Sequence, residues 1–307
     1  MKRVTCLGQP ANPLNMNSRN ADQPKNQHWL PCVYLKEFSP DFCRGRKSEV
    51  WRFDGSRSLF VPVDSQCNDK CFYTAASAKE AESYFGQIEN LYGGCLKKIR
   101  AGANQEPTFQ EYFGLILMVF DLCLRNKSHQ NLTGQNNLGA YRTRLFCFLR
   151  DMVLGKSDGI PTEKELKSHL HKHWRVRIIA PTSNSELITS DNPTMLFTTN
   201  DRRDCHFAIL PVTPFHIAVA FDERFVQILS DRTTHADDGI LNKNQCRQAV
   251  SAVYSRTRLD VEQERSAASL LKEPRNHGLV SQSAVELAVL GMTAESTLSF
   301  IRVSACV

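Results

Sequence analysis

A chain of 307 residues, 41% hydrophobic and 23% charged, is long enough to bury a core and ordinary for a globular protein. Its formal net charge of +6 permits contact with phosphates without demanding it. No apolar run reaches the roughly 18 residues that cross a bilayer, and the longest, over 113–123, is broken by Asp121. The expectation is therefore a protein with no membrane partner. A Met-Lys-Arg start without an apolar core is no secretion signal, so the expected location is cytoplasmic. Eleven cysteines, an odd number at irregular spacing, suit unpaired thiols in that compartment.

In chain order, residues 1–26 are rich in Asn, Pro and Gln and read as a flexible leader to a single domain over 27–307. Residues 29–38 begin the fold as a short helical or extended piece. The alternating stretch 49–54 stops at Gly55 and predicts a strand and turn, with a second strand over 59–63. A helical part follows over about 78–173. Ala81, Phe85, Ile88, Leu91 and Tyr92 recur at near-helical spacing, with Lys97, Lys98 and Arg100 at the end that the helix dipole favours for cations. Gly93 and Gly94 interrupt this pattern and mark a kink or close packing. Thr108 and Glu111 form a capping box that opens a helix to about residue 124. A polar loop over 126–136, a helix over 138–154 and a shorter helix opened by Pro161 and reaching His173 complete this part.

The period then changes. Runs over 174–179, 186–189, 206–210, 216–221 and 225–229 are short and strand-like, which predicts a sheet-rich part over about 174–230. A C-terminal helical part over about 241–307 holds a helix over 242–258, on which Ala249, Val250, Val253 and Tyr254 line up. It also holds a helix over 284–290 and an alternating end over 298–303. The expected class is α+β, a helical middle layer with a small, mainly antiparallel sheet.

Two segments concentrate the chemistry. The first carries Gln27, His28, Pro31, Tyr34, Leu35 and Phe38, and the second reads Thr189-Ser190-Asp191-Asn192-Pro193. An imidazole titrates near neutral pH, so His28 can serve as base, acid or metal ligand. A carboxylate at a strand end, such as Asp191, can face a cleft and hold a metal or orient a histidine. Ser-Asp-Asn-Pro is equally good turn chemistry. Glu82 and Glu89 lie seven apart on one helical face. With His28 and Asp191 they would form a cluster suited to one divalent cation, although a solvated acidic face is the plainer reading for Glu82. In an extended segment Tyr34 and Lys36 share a side and can stabilise an anion.

Other routes are weaker. Ser190 lacks the strained elbow of a nucleophilic serine. Of His169, His171 and His173 only the first and last share a helical face, which suits a polar helix end. Cys67 and Cys71 have a zinc-like spacing, but Cys205-His206 completes no common module. There is no glycine-rich phosphate loop and no kinase set.

The two segments resemble the family catalogued as domain of unknown function 4238, with its Gln-His-x-x-Pro-x-x-Tyr-Leu-x-x-Phe opening and Thr-Ser-Asp-x-Pro block. Phe72-Tyr73-Thr74 and the helix with Glu82 and Glu89 add to the likeness, which runs from about 27 to 260. Leu210-Pro211-Val212-Thr213-Pro214 resembles the family's Pro-Leu-Ser-Pro turn, and Cys32 stands where relatives carry a basic residue. The resemblance implies no activity.

The expected function is a metal-assisted hydrolase of phosphodiesters, nuclease-like, with His28, Asp191 and Glu89 catalytic and Mg²⁺ or Mn²⁺ as the metal. Tyr34, Lys36 and Asn192 would contact the substrate, a nucleic acid or nucleotide, and defence against mobile elements would suit the activity. The alternative is a non-enzymatic binding or scaffold protein in which the His28 and Asp191 motifs are structural. Distance separates the two, because catalysis requires His28, Glu89 and Asp191 to converge on one ligand.

Overall fold

Pro31 holds its φ at −61° as the N-cap of a single helical turn, Cys32–Leu35 (α1), which a 3₁₀ turn at Lys36–Phe38 extends. The opening motif is thus helical, and this corrects the side-sharing of Tyr34 and Lys36 expected from an extended segment. Tyr34, Leu35 and Phe38 are all sealed in the core, while Lys36 is half-buried. The structure is a computed structural model and describes residues 26–41, 47–70, 78–101, 108–125, 163–181, 185–199, 207–224, 237–273, 279–281 and 298–301. The leader short of residue 26, the helices expected over 138–154 and 284–290, the strand over 225–229, and Cys71, Phe72, Tyr73, Thr74, Cys205 and His206 lie outside them.

Three antiparallel β units frame the described residues. Asn26–His28 (β1) pairs with Asn68–Lys70 (β4) as a two-stranded ribbon. Glu49–Phe53 (β2) and Ser58–Pro62 (β3) form a hairpin whose turn places Gly55 at φ +87°, where a Cβ would strain. Val253–Ser255 (β10) and Thr189–Ser190 (β6) extend that hairpin to a sheet ordered β3-β2-β10-β6. The largest sheet joins Leu279–Ser281 (β11), Leu298–Ile301 (β12), Met195–Thr199 (β7), Phe207–Thr213 (β8), His216–Asp222 (β9) and Trp174–Ile179 (β5), in that spatial order.

The helical layer comes from two long elements. Ala78–Ala101 (α2) buries Phe85, Ile88, Tyr92, Cys95 and Leu96 along one stripe, as its sequence period predicts. It runs unbroken through Gly93 and Gly94, so close packing is the reason for the pair. A Cβ at Gly94 would stand 3.0 Å from Glu111 Oε1, and one at Gly93 would stand 3.4 Å from Val33 Cγ2. Phe109–Leu124 (α3) opens with the expected capping box. Thr108 Oγ1 accepts from the Glu111 N–H at 3.3 Å, and Glu111 Oε2 accepts from the Thr108 N–H at 2.6 Å. Lys98 donates to the same carboxylate at 2.7 Å and is the main cause that holds Glu111 down to about 2.

Glu163–His173 (α4) leads directly into β5, and Phe120 of α3 meets Trp174 edge-on with ring centroids 5.1 Å apart. Leu210, Val212, Ala218 and Ala220 share one core with Leu115, Met118 and Tyr92, so the large sheet closes over the helices. A smaller core holds Phe53, Val253, Leu259 and Leu270 with Cys246 of Asp237–Gln248 (α5) and Ala267 of Val261–Leu271 (α6). The fold is α+β. Among the described residues no helix is long and apolar enough to cross a membrane.

One expected element is corrected. The helix read over 242–258 ends at Gln248, and Val253 and Tyr254 belong to β10. The Asp191 carboxylate takes the N–H groups of Val250 and Ser251, at 2.6 and 2.8 Å, that further helical turns would need. Helix resumes at α6 behind a second capping box, Asp260 with Gln263.

The α2–α3 contact yields a paired prediction. A Cβ at Gly114 would stand 2.5 Å from the Leu91 Cβ, whereas one at Gly86 meets nothing within 4 Å. Gly114→Ala is expected to lower the unfolding free energy by about 1–3 kcal/mol through overpacking. Gly86→Ala should raise it by roughly 0.5–1 kcal/mol through helix propensity. Urea denaturation of both variants checks the signs.

Candidate functional site

His28 closes β1 with its ring half-buried. Nδ1 lies 3.1 Å from the Gln66 carbonyl oxygen, which can only accept, so Nδ1 carries the proton and Nε2 is the basic nitrogen. Burial lowers the pKa of this ring, Arg125 lowers it further, and the Gln66 contact and Glu89 oppose them. The imidazole is neutral at pH 7 as a result. Cys32 Sγ stands 3.6 Å from both ring nitrogens.

Arg125, at the C-cap of α3, is 4% exposed and gathers the groups around it. Nη1 donates to Glu89 Oε1 at 2.8 Å, and Nη2 donates to the His28 carbonyl oxygen at 2.9 Å. Its guanidinium carbon lies 3.9 Å from the centre of the Phe85 ring. Asp121, one helical turn back, has Oδ2 at 3.7 Å from Nη1, beyond hydrogen-bond range, and among the described residues neither of its oxygens has a hydrogen-bond donor. A carboxylate sealed in this way is costly to ionise, and burial pushes Asp121 up to about 7. Glu82 is half-buried rather than solvated, and its pKa is raised by burial with Arg125 opposing. One cation thus faces Glu82, Glu89, Asp121 and the backbone of His28.

The structure therefore links two of the expected catalytic residues, His28 and Glu89, through Arg125. Asp191 is engaged elsewhere. Its carboxylate accepts from the N–H groups of Val250 and Ser251 and from Ser251 Oγ, at 2.6, 2.8 and 2.6 Å. The charges that act on the His28 ring are Arg125, Glu89 and Asp64, whereas Asp191 acts on the buried Cys67 and Tyr254. Asn192 exchanges bonds with Gln248, donating to its carbonyl at 3.3 Å and accepting from Gln248 Nε2 at 2.7 Å. Tyr34 Oη donates to the Pro211 carbonyl at 2.7 Å and so accepts from Thr189 Oγ1 at 2.6 Å. Lys36 lies beside Glu37, whose carboxyl is pushed up by burial, with Arg100 and, more weakly, Lys36 opposing.

His28, Glu89 and Asp191 do not form the donor set that Mg²⁺ or Mn²⁺ requires, since Arg125 holds one carboxylate and backbone N–H groups hold the other. Among the described residues no group of three or more His, Cys, Asp or Glu side chains can hold a metal ion. The His169 and His173 rings do share a face, 5.0 Å apart. Cys67 Sγ lies 3.1 Å from Tyr254 Oη, and burial pushes its thiol far up.

Sequence reasoning missed Arg125 and the role of Asp121. The signal was an acid and a base four residues apart at the end of an apolar helix, a pairing that buries both. Two outcomes follow from the cluster. Arg125→Met, which strands Glu89 and the His28 carbonyl, is expected to cost about 3 kcal/mol or more of stability. For Asp121 the folded pKa lies above its unfolded value, so the unfolded chain releases a proton that the folded chain keeps. Stability then falls as pH rises from about 4 to about 7. Asp121→Asn should remove that fall and be the more stable protein at pH 8, by on the order of 1–3 kcal/mol. Urea denaturation at both ends of the window measures this, and a difference that does not change with pH would contradict it.

No curated protein and no solved structure matches the chain. The family described as protein of unknown function (DUF4238) matches residues 26–258, a span that holds the opening motif, Arg125 and the Asp191 block. With more than half of its length matched, the chain belongs to the DUF4238 family.

Proposed function

We propose that the protein hydrolyses phosphodiesters in the cytoplasm, with His28 as its acid–base group. The observation that carries the reading is the state of that ring, neutral, anchored through Nδ1 and half-exposed, with Nε2 as the basic nitrogen. In this reading Nε2 takes a proton from water as the water oxygen attacks phosphorus. The P–O bond to the leaving group breaks, and the imidazolium returns the proton to the departing oxygen. Arg125 is too buried to touch a substrate and acts as a positioning residue, holding His28 through its carbonyl with Glu89 behind it. The cluster of shifted groups at His28, Glu82 and Asp121 supports a functional site. The net charge of +6 supports an anionic substrate such as a nucleic acid. The thiols Cys32, Cys67, Cys95 and Cys246 suit a reducing compartment. A role in defence against mobile elements stands or falls with nucleic-acid cleavage.

A second reading has a specific observation in its favour. Asp191 and Tyr34 satisfy their polar atoms inside the fold. Structural clasps of that kind suit a non-enzymatic binding protein.

Wild type, His28→Ala and Asp191→Ala incubated with RNA, single- and double-stranded DNA and nucleotides, with Mg²⁺, Mn²⁺ or EDTA, separate the two. Hydrolysis predicts turnover that falls by about 10²–10⁴-fold in His28→Ala while circular dichroism shows the variant still folded at the assay temperature. Because burial lowers the His28 pKa, activity should be lost as pH drops below that of an ordinary histidine and be flat above it. Asp191→Ala should lower stability first. Equal background in all three proteins would leave the binding reading.

A further inference from the structure

A cleft of about 430 Å³ opens where four separate stretches meet. Glu37 comes from the end of the opening motif, Arg100 from the last turn of α2, Thr213, Phe215 and His216 from the β8–β9 turn, and Arg256 from just beyond β10. The volume falls in the range of small-molecule sites, roughly 300–1,000 Å³.

Its chemistry is uneven in a useful way. Phe215 is 44% exposed, one of three large exposed hydrophobics among the described residues, and it lines this cleft. The Arg256 guanidinium stands 5.3 Å from the centre of its ring. The turn that carries Phe215 is braced. Thr213 Oγ1 accepts from the Phe215 N–H at 3.0 Å and bonds His216 Nδ1 at 3.1 Å, and Pro214 is buried between them.

Both guanidiniums are held from behind. Glu37, its carboxylate only 2% exposed, pairs with Arg100, whose side chain is 29% exposed. Glu186 Oε1 accepts from Arg256 Nη1 at 2.9 Å, and the Arg256 side chain is 38% exposed. A guanidinium has five N–H donors, so the Glu186 contact orients Arg256 without exhausting it. Glu37 also lines the cleft but is the more deeply buried member of its pair, Glu186 does not line it, and the two cations and the aromatic ring are the more exposed groups. A structural role explains the two ion pairs but leaves an exposed phenyl ring on a rigid turn without a purpose.

We propose that this cleft binds a small anion that carries a planar ring, of the nucleoside monophosphate class, with the ring against Phe215 and the phosphate at Arg256 and Arg100. The proposal is independent of hydrolysis at His28, and either can fail without the other.

Isothermal titration calorimetry of the full chain with the four nucleoside monophosphates, inorganic phosphate and the free nucleosides tests it. At least one monophosphate should bind with a dissociation constant below about 1 mM, more tightly than phosphate or its own nucleoside. Phe215→Ala and Arg256→Gln should each weaken it by roughly tenfold, with the circular dichroism spectrum unchanged and the melting temperature lowered by no more than the loss of a surface ion pair brings. No saturable binding to wild type, or binding that neither substitution alters, overturns the proposal. Weakening by Arg256→Gln alone, with phosphate bound as well as any monophosphate, overturns the assignment of the ring.

Discussion

The hydroxyl of Tyr34 is the constraint on which the arrangement of the chain depends. The ring is fully buried among Phe38, Tyr92 and their neighbours, and a phenol placed there must find partners or forfeit the stability its burial brings. It finds one donor and one acceptor, Thr189 Oγ1 and the Pro211 carbonyl, 155 and 177 residues away in sequence. Burial pushes its pKa far above the usual phenol value, so it remains a neutral donor at any physiological pH. The opening motif, the Thr-Ser-Asp-Asn-Pro block and strand β8 are thereby held in one register. Moving any of the three by an ångström would unpair a buried polar atom. His28 and Cys32 sit before this anchor and Glu37 just after it, so the histidine cluster and the Phe215 cleft both inherit their geometry from it.

Arg125 performs a similar task with charge. A buried guanidinium is stabilising only where its donors are met, and here they are met by a side chain of α2 and by the backbone of β1. The ribbon, the long helices and the histidine are tied at one point. Asp121 adds a neutral or negative partner according to pH. The cluster therefore has a charge state that changes near neutrality, while the apolar packing around it does not.

What was legible in the sequence was what local physics determines. The period of Phe85, Ile88 and Tyr92, the capping box at Thr108 and the alternation at 174–179 each place an element whose stability begins with its own residues. The end of α5 was not legible, because it depends on Asp191, which lies 59 residues upstream of the N–H group it first captures. The second capping box at Asp260 was present in the sequence, but the helix expected over 242–258 ran up to it and hid it. At the site, His28 and Glu89 were readable as chemistry, but the residue that joins them was not. Arg125 reads as a surface charge at a helix end until the partner from 97 residues earlier is known.

A motif shared by a family is evidence of function only to the extent that folding does not already explain it. Tyr34, Thr189 and Asp191 turn their polar atoms inward and satisfy them there, so folding alone accounts for their place in the motif. His28 differs. One nitrogen is used by the fold, and the other has the Cys32 sulfur at 3.6 Å and half-open surroundings. The same reasoning separates Phe38, sealed in the core, from Phe215, held exposed on a braced turn beside a guanidinium. Groups that the fold positions but does not consume are where a ligand has something left to bind, and among the described residues the imidazole of His28 and the cleft at Phe215 and Arg256 are the two on which the proposals rest.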